Sequence, residues 1–106
     1  MTVQELAAWR LAGTPHMLLD VREPHELAIC AVEGATAIPM AQVPARLAEL
    51  PQDAPVVVMC HHGARSQMVV NFLLGQLGNA GRDRIFNLEG GIDAWARQID
   101  GSVALY

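Results

Sequence analysis

Residues 56–74 read VVVMCHHGARSQMVVNFLL, and three kinds of chemistry follow one another along them. Val56 to Met59 is a short apolar run rich in β-branched residues, the composition of a strand buried on both faces. Gln67 to Leu77 is long and apolar enough for a helix. Between them, Cys60 to Arg65 places a cysteine, two histidines, a glycine and an arginine in the turn from a buried strand to a helix. In an open α/β sheet such a turn lies at the carboxyl edge of the strands, where these folds usually hold their ligands.

The same alternation extends in both directions. Thr2 followed by Glu5 fits a capping box, so Val3 to Leu11 reads as a helix with Leu6 and Trp9 inward. MLLDV (17–21) reads as a strand ending near Asp20, and Glu23-Pro24 opens a short helix over His25 to Ile29. ATAIP (35–39) is a further brief strand, and Gln42 to Leu50 reads as a helix that tolerates Pro44 only in its first turn. The helix Ser66 to Leu77 carries Met68, Val69, Phe72, Leu73 and Leu77 on a broad apolar face, with Gln67, Asn71 and Gly78 as its polar stripe. RIFNL (84–88) is the last strand, and Gly90-Gly91 turns into a helix around Ile92 to Arg97. The segment from Gln98 to Tyr106 has no strong pattern. Strands separated by helices imply an α/β fold: a central, mainly parallel sheet with helices on both faces.

The chain has 106 residues, 52% of them hydrophobic, which suits a single domain spanning residues 1–106 with one core. Its net charge of −4 argues against nucleic acid or an anionic membrane surface as a partner. All seven basic residues are arginine, so lysine-dependent phosphate loops and Schiff-base chemistry are excluded. No apolar run approaches the ~20 residues of a membrane span, and MTVQELAAWR lacks the basic and apolar regions of a secretory leader. With two cysteines, Cys30 and Cys60, a disulfide framework is a poor reading and a reactive thiol in a reducing compartment a better one. The expected setting is the cytoplasm.

Cys60 has what lowers a thiol pKa: inward-pointing amides in its turn, a following helix N-terminus and a nearby arginine. Gly63 allows the turn to close, the amides of His61, His62, Gly63, Ala64 and Ser66 can face a bound group, and Arg65 can fork onto an anionic substrate. The plainer alternative is a buried structural cysteine. His61 and His62 suggest a metal with Cys60, but three successive residues of such a turn splay their side chains, so no metal site is expected. The histidines read instead as attractors of an anionic donor or as solvated side chains. Asp20 is placed to brace the loop or the Arg65 guanidinium, or else to cap a helix. Arg22 pairs with a carboxylate such as Glu23 or Glu89, more simply as a surface pair than as part of the site. Cys30 reads as a small apolar packing residue rather than a resolving thiol, and Trp95 as core.

Four segments in order resemble the single-domain rhodanese family. LLDVREPHEL (18–27) is similar to its Asp-Val-Arg segment and VEGATAIP (32–39) to its Gly-Ala-x-x-Ile-Pro segment. CHHGARS (60–66) resembles its active-site loop and NLEGGIDAW (87–95) its late Gly-Gly-x-x-x-Trp segment. The resemblance covers almost the whole chain and implies a rhodanese-like α/β fold, a Cys60 that carries sulfur as a persulfide, and no cofactor. Cys30-Ala31 departs from the Gly-His pair often found there, and GNAGRD (78–83) lengthens the approach to the last strand. Phosphatases and arsenate reductases of related fold have one more residue between cysteine and arginine than the four here. The shorter cradle suits one sulfur atom better than a whole oxyanion.

The expected activity is therefore transfer of sulfane sulfur from thiosulfate, or a similar donor, to a thiol or dithiol acceptor that can be a protein. The alternatives are a non-catalytic persulfide carrier and an interaction module with an idle loop. The absence of a Cys-Gly-Ser-Gly loop favours thiosulfate over 3-mercaptopyruvate. Oligomeric state is not legible.

Overall fold

The computed structural model describes residues 1–106. Helix α1 (Val3–Ala12) starts at the expected reciprocal cap: the Glu5 N–H donates to the Thr2 hydroxyl oxygen at 3.1 Å and the Thr2 N–H to the Glu5 carboxylate at 3.2 Å. Strands β1 (Met17–Asp20), β2 (Thr36–Ala37), β3 (Val56–Met59) and β4 (Ile85–Asn87) form one parallel sheet in the order β2-β1-β3-β4. Strand β3 pairs with β1 along its length, from Val56 opposite Met17 to Met59 opposite Asp20. The edge strands β2 and β4 are only two and three residues long.

The pleat divides the core into two layers. Leu19, Val56, Val58, Cys60 and Ile85 belong to the layer completed by Val43 of the 3-10 helix Met40–Glu49 and by Val69, Val70 and Leu73 of α3 (Ala64–Leu77). Leu18, Val57 and Met59 belong to the opposite layer, completed by Leu6 of α1 and by Ile92 and Trp95 of α5 (Gly91–Gln98). Both faces are thus covered, as a parallel sheet requires. Each fully buried aliphatic side chain contributes about 1.5–3 kcal/mol. No helix is long and apolar enough to cross a membrane.

Several boundaries differ from the sequence reading. The segment read as a helix over 42–50 is a 3-10 helix over 40–49, with Pro44 inside and Arg46 at the non-helical φ of −122°. Proline supplies no N–H for a regular helical ladder. Helix α3 begins two residues earlier than expected; Ser66, Val69, Val70 and Leu73 face inward, while Met68, expected on the apolar face, is 61% exposed. Trp9 is half-buried and meets the Phe86 ring edge-on, whereas Trp95 is core as expected. Two one-turn helices, α2 (Pro24–Leu27) and α4 (Asn79–Arg82), complete the chain, α4 accounting for the long approach to β4.

The chain leaves β1 toward one edge of the sheet and returns to β3 on the other side of β1. This reversal opens a crevice at the carboxyl ends of β1 and β3, the position at which open α/β sheets bind ligands. Asp20 ends β1, and Cys60 follows β3.

Candidate active site

Cys60 is only 1% exposed, at the bottom of a turn held from two sides. Toward its sulfur, the Gly63 N–H donates at 3.1 Å, and the Ser66 Oγ lies at 3.3 Å. From behind, the first amides of α5 take the loop's carbonyls: Ile92 N–H donates to Cys60 O at 2.9 Å and Asp93 N–H to His61 O at 3.1 Å. Gly91, at φ 58°, allows this approach, because a Cβ there would stand 2.5 Å from both carbonyl oxygens. Gly63, at φ 112°, turns the chain into α3.

Burial pushes the Cys60 thiol up, but hydrogen bonds from the Ser66 hydroxyl and the amides of Ser66, Gly63 and His62 outweigh it, so the net shift is downward. That environment favours the thiolate, the nucleophilic form.

Ser66 is the third residue of α3, and its hydroxyl also lies 2.5 Å from Asn87 Oδ1. The Asn87 Nδ2 in turn donates to Gly63 O at 3.2 Å. Asn87, at the end of β4, therefore ties both walls of the Cys60 turn together. Sequence reading did not single it out, since within RIFNL (84–88) it reads as one more residue of the strand.

Arg65 does not point its fork into open space. Its Nη1 and Nη2 donate to Glu26 Oε1 and Oε2 at 2.6 and 2.8 Å, a bidentate pair. Arg65 hydrogen-bonds to this carboxylate and, against a smaller opposing effect of burial, holds it well below the usual carboxylate range. Glu26 is a second residue that sequence reading missed. In REPHEL it looks like a helix cap, and it does serve as one, accepting the Glu23 N–H at 3.1 Å.

Asp20 and Arg22 also differ from expectation. Asp20 does not brace Arg65, and Arg22 pairs with neither Glu23 nor Glu89. The two pair with each other, Arg22 Nη2 to Asp20 Oδ2 at 2.6 Å, and both side chains are fully buried. The guanidinium also donates to Cys30 O at 2.9 Å and to the Tyr106 hydroxyl at 3.0 Å, so its donors are satisfied without solvent. Burial works against the Arg22 cation, but the bonds to Asp20 and Tyr106 hold its pKa above the ordinary value. Cys30 is a free, half-buried thiol packed on the apolar layer below α1 and α5.

His62 and Ala64 are exposed, and His61 is half-buried. The His61 ring lies between those of His62 and Tyr106, with centroids 3.8 Å away on each side and only 4° between the His61 and Tyr106 planes. Burial, reinforced by His62, lowers the His61 pKa, so its ring is neutral near pH 7. His61, His62 and Asp93 bring ligand atoms within 4.8 Å of one another. The two imidazoles lie ring against ring, 3.8 Å apart and tilted by 30°, and Asp93 accepts from Arg97 at 2.9 Å, so the three fit a tetrahedral metal poorly.

A wholly parallel sheet whose reversal point ends in an amide-lined cysteine turn defines a class of α/β domain that keeps its reactive group on a loop at the sheet edge. The profile of the rhodanese-like domain matches residues 2–98, and the chain belongs to that family. A protein named sulfurtransferase from Allochromatium vinosum is 43% identical over 94 residues, covering 88% of this chain and 84% of that protein. The probable adenylyltransferase/sulfurtransferase MoeZ of Mycobacterium tuberculosis is 36% identical over 108 residues, all of this chain but only 26% of MoeZ. Among solved structures, a rhodanese-related protein from Thermoplasma volcanium superposes with a TM-score of 0.81 at 32% identity, covering 100% of this chain and 97% of that one.

Proposed function

We propose that this domain is a sulfurtransferase that carries sulfane sulfur on Cys60 as a persulfide, with thiosulfate or a similar molecule as donor. The observation that carries this reading is the size of the cradle. With four residues between Cys60 and Arg65, the turn is short and brings the Gly63 amide and the Ser66 hydroxyl within 3.3 Å of the sulfur, a cradle on the scale of a single sulfur atom rather than a whole oxyanion. In the first half-reaction the Cys60 thiolate attacks the outer sulfur of thiosulfate. A Cys60–sulfur bond forms, the donor's sulfur–sulfur bond breaks, and sulfite leaves with the electron pair. The terminal persulfide sulfur keeps one negative charge, which the loop amides and the N-terminus of α3 stabilise. In the second half-reaction an acceptor thiolate attacks that sulfur, leaves as a persulfide and restores the Cys60 thiolate. Cyanide does the same in an assay, giving thiocyanate.

Steady-state kinetics with thiosulfate and 3-mercaptopyruvate side by side, together with the intact mass after thiosulfate treatment, test the proposal. The expected result is preferential turnover of thiosulfate and the gain of one sulfur atom on Cys60, removed by cyanide. Equal or better use of mercaptopyruvate would overturn the donor assignment, and a Cys60 that takes up no sulfur from any donor would overturn the reading.

A second reading, a persulfide carrier charged by a partner protein, is favoured by the relatives of which this chain spans about a quarter. In MoeZ and in the adenylyltransferase and sulfurtransferase MOCS3 of Drosophila grimshawi, the matching region covers 26% and 22% of the protein, whose name also includes adenylyltransferase. A carrier would gain sulfur on Cys60 from a protein persulfide but show little turnover with free thiosulfate.

A further inference from the structure

Glu26 has every acceptor position filled. Oε1 takes Arg65 Nη1 at 2.6 Å and the Glu23 N–H at 3.1 Å, and Oε2 takes Arg65 Nη2 and the Tyr106 hydroxyl, both at 2.8 Å. An arginine fork, an amide and a hydroxyl around two oxygens are the contacts a small oxyanion would seek. Here a carboxylate of the chain itself occupies them. The other arginine at this edge, Arg22, is committed to Asp20. The four formal charges Asp20, Arg22, Glu26 and Arg65 cancel, so an approaching anion meets the Cys60 thiolate with no unpaired cation beside it.

Tyr106 completes the arrangement from the segment after α5. Its ring lies flat on His61 while its hydroxyl bridges Arg22 and Glu26. Residues 104–106 make no backbone–backbone hydrogen bond, so the stacked ring and the hydroxyl are the main contacts that hold the Tyr106 side chain over the loop. Cys60 beneath is 1% exposed.

We infer that Tyr106 and Glu26 form a latch that withholds Arg65 from anionic donors, which makes Tyr106 a specificity-determining residue of the sulfur-transfer site proposed above. Uptake of a donor such as thiosulfate requires Arg65 to exchange the Glu26 carboxylate for the donor's oxyanion. Tyr106 opposes that exchange by stabilising the internal pair. The inference rests on the sulfurtransferase reading only for its biological meaning, because the latch can be measured without sulfur.

The experiment compares the rates at which iodoacetate, an anion, and iodoacetamide, its neutral analogue, alkylate Cys60, followed by peptide mass spectrometry so that Cys30 is counted apart. Tyr106→Phe keeps the stacked ring and removes the hydroxyl. The iodoacetate-to-iodoacetamide ratio should rise by about two- to tenfold, the equivalent of one hydrogen bond. Glu26→Gln, which also removes the competing charge, should raise it further. In an Arg65→Ala background Tyr106→Phe should leave the ratio unmoved. The KM for thiosulfate should fall in Tyr106→Phe with kcat little altered. A ratio unchanged in both folded single variants would overturn the latch even if Cys60 accepts sulfur. A raised ratio in a protein that never accepts sulfur would uphold the latch and reject the sulfurtransferase reading.

Discussion

Ser66 has one hydroxyl proton and two acceptors within reach, Cys60 Sγ at 3.3 Å and Asn87 Oδ1 at 2.5 Å. A hydrogen bond from that hydroxyl to sulfur is among the contacts that favour the Cys60 thiolate. Ser66→Ala removes it, so the pH profile of Cys60 alkylation should move to higher pH with the fold intact. Cys60→Ser should abolish sulfur transfer, because a serine hydroxyl is not ionised at neutral pH and cannot form the persulfide, whereas Cys30→Ser should keep most of the activity. If the Cys30 variant is the inactive one in a thiocyanate assay, the nucleophile is misassigned. The buried Asp20–Arg22 pair has a different role. Removing one partner, as in Asp20→Ala, leaves an uncompensated charge at 0% exposure and should lower unfolding stability by about 3–5 kcal/mol in urea titrations.

At the scale of elements, the Cys60 turn is gripped between β3, α3 and α5, and Gly91 is where the grip is closest. Gly91→Ala would place a methyl group against two backbone oxygens at a φ of 58°, and no side-chain rotation relieves that clash. A loss of about 1–3 kcal/mol of stability and slower alkylation of Cys60 are expected. Retention of both wild-type values would show that the loop tolerates the displacement of α5. The same junction shows what could be read beforehand. The β3 turn, the place of Cys60 in it, the Gly90-Gly91 start of α5 and the two-faced core were legible because a β-branched run, a glycine pair and strands separated by helices carry their own geometry. Pairings that cross between elements were not: Glu26 is 39 residues from Arg65, Tyr106 is 80 from Glu26, and nothing local marks either as a partner. Arg22 read as a surface residue for the same reason, since its burial depends on Cys30 O and Tyr106 closing around it. The 3-10 helix over 40–49 was misread as a regular helix because apolar periodicity survives a proline that the hydrogen-bond ladder does not.

For the molecule as a whole, pH acts through groups that share a direction. Glu26 has a folded pKa below its unfolded value, so its stabilising contribution is full above about pH 4.3 and is lost as pH falls through the lower folded value. His61, also lowered, is bound neutral; its contribution is full above about pH 6.5 and declines as pH falls through its folded pKa. Urea midpoints should therefore decrease below about pH 6.5 and decrease again below about pH 4.3. Glu26→Gln should lessen the second decline, leaving the part due to exposed carboxylates such as Asp93 and Asp100 whose pKa values are also lowered, and should spare the first. A midpoint that rises on acidification would contradict both assignments. The sheet carries a further consequence. A strand edge recruits foreign strands through a row of unpaired amides and carbonyls, and the length of that row sets how well it works as a template. With β2 and β4 only two and three residues long, this sheet ends before such a row can form. Val56 to Met59, the segment most prone to cross-β stacking by composition, lies paired on both sides between β1 and β4. Fibril growth from the folded protein thus finds only short edges, and its rate should follow how often the domain opens to expose β3.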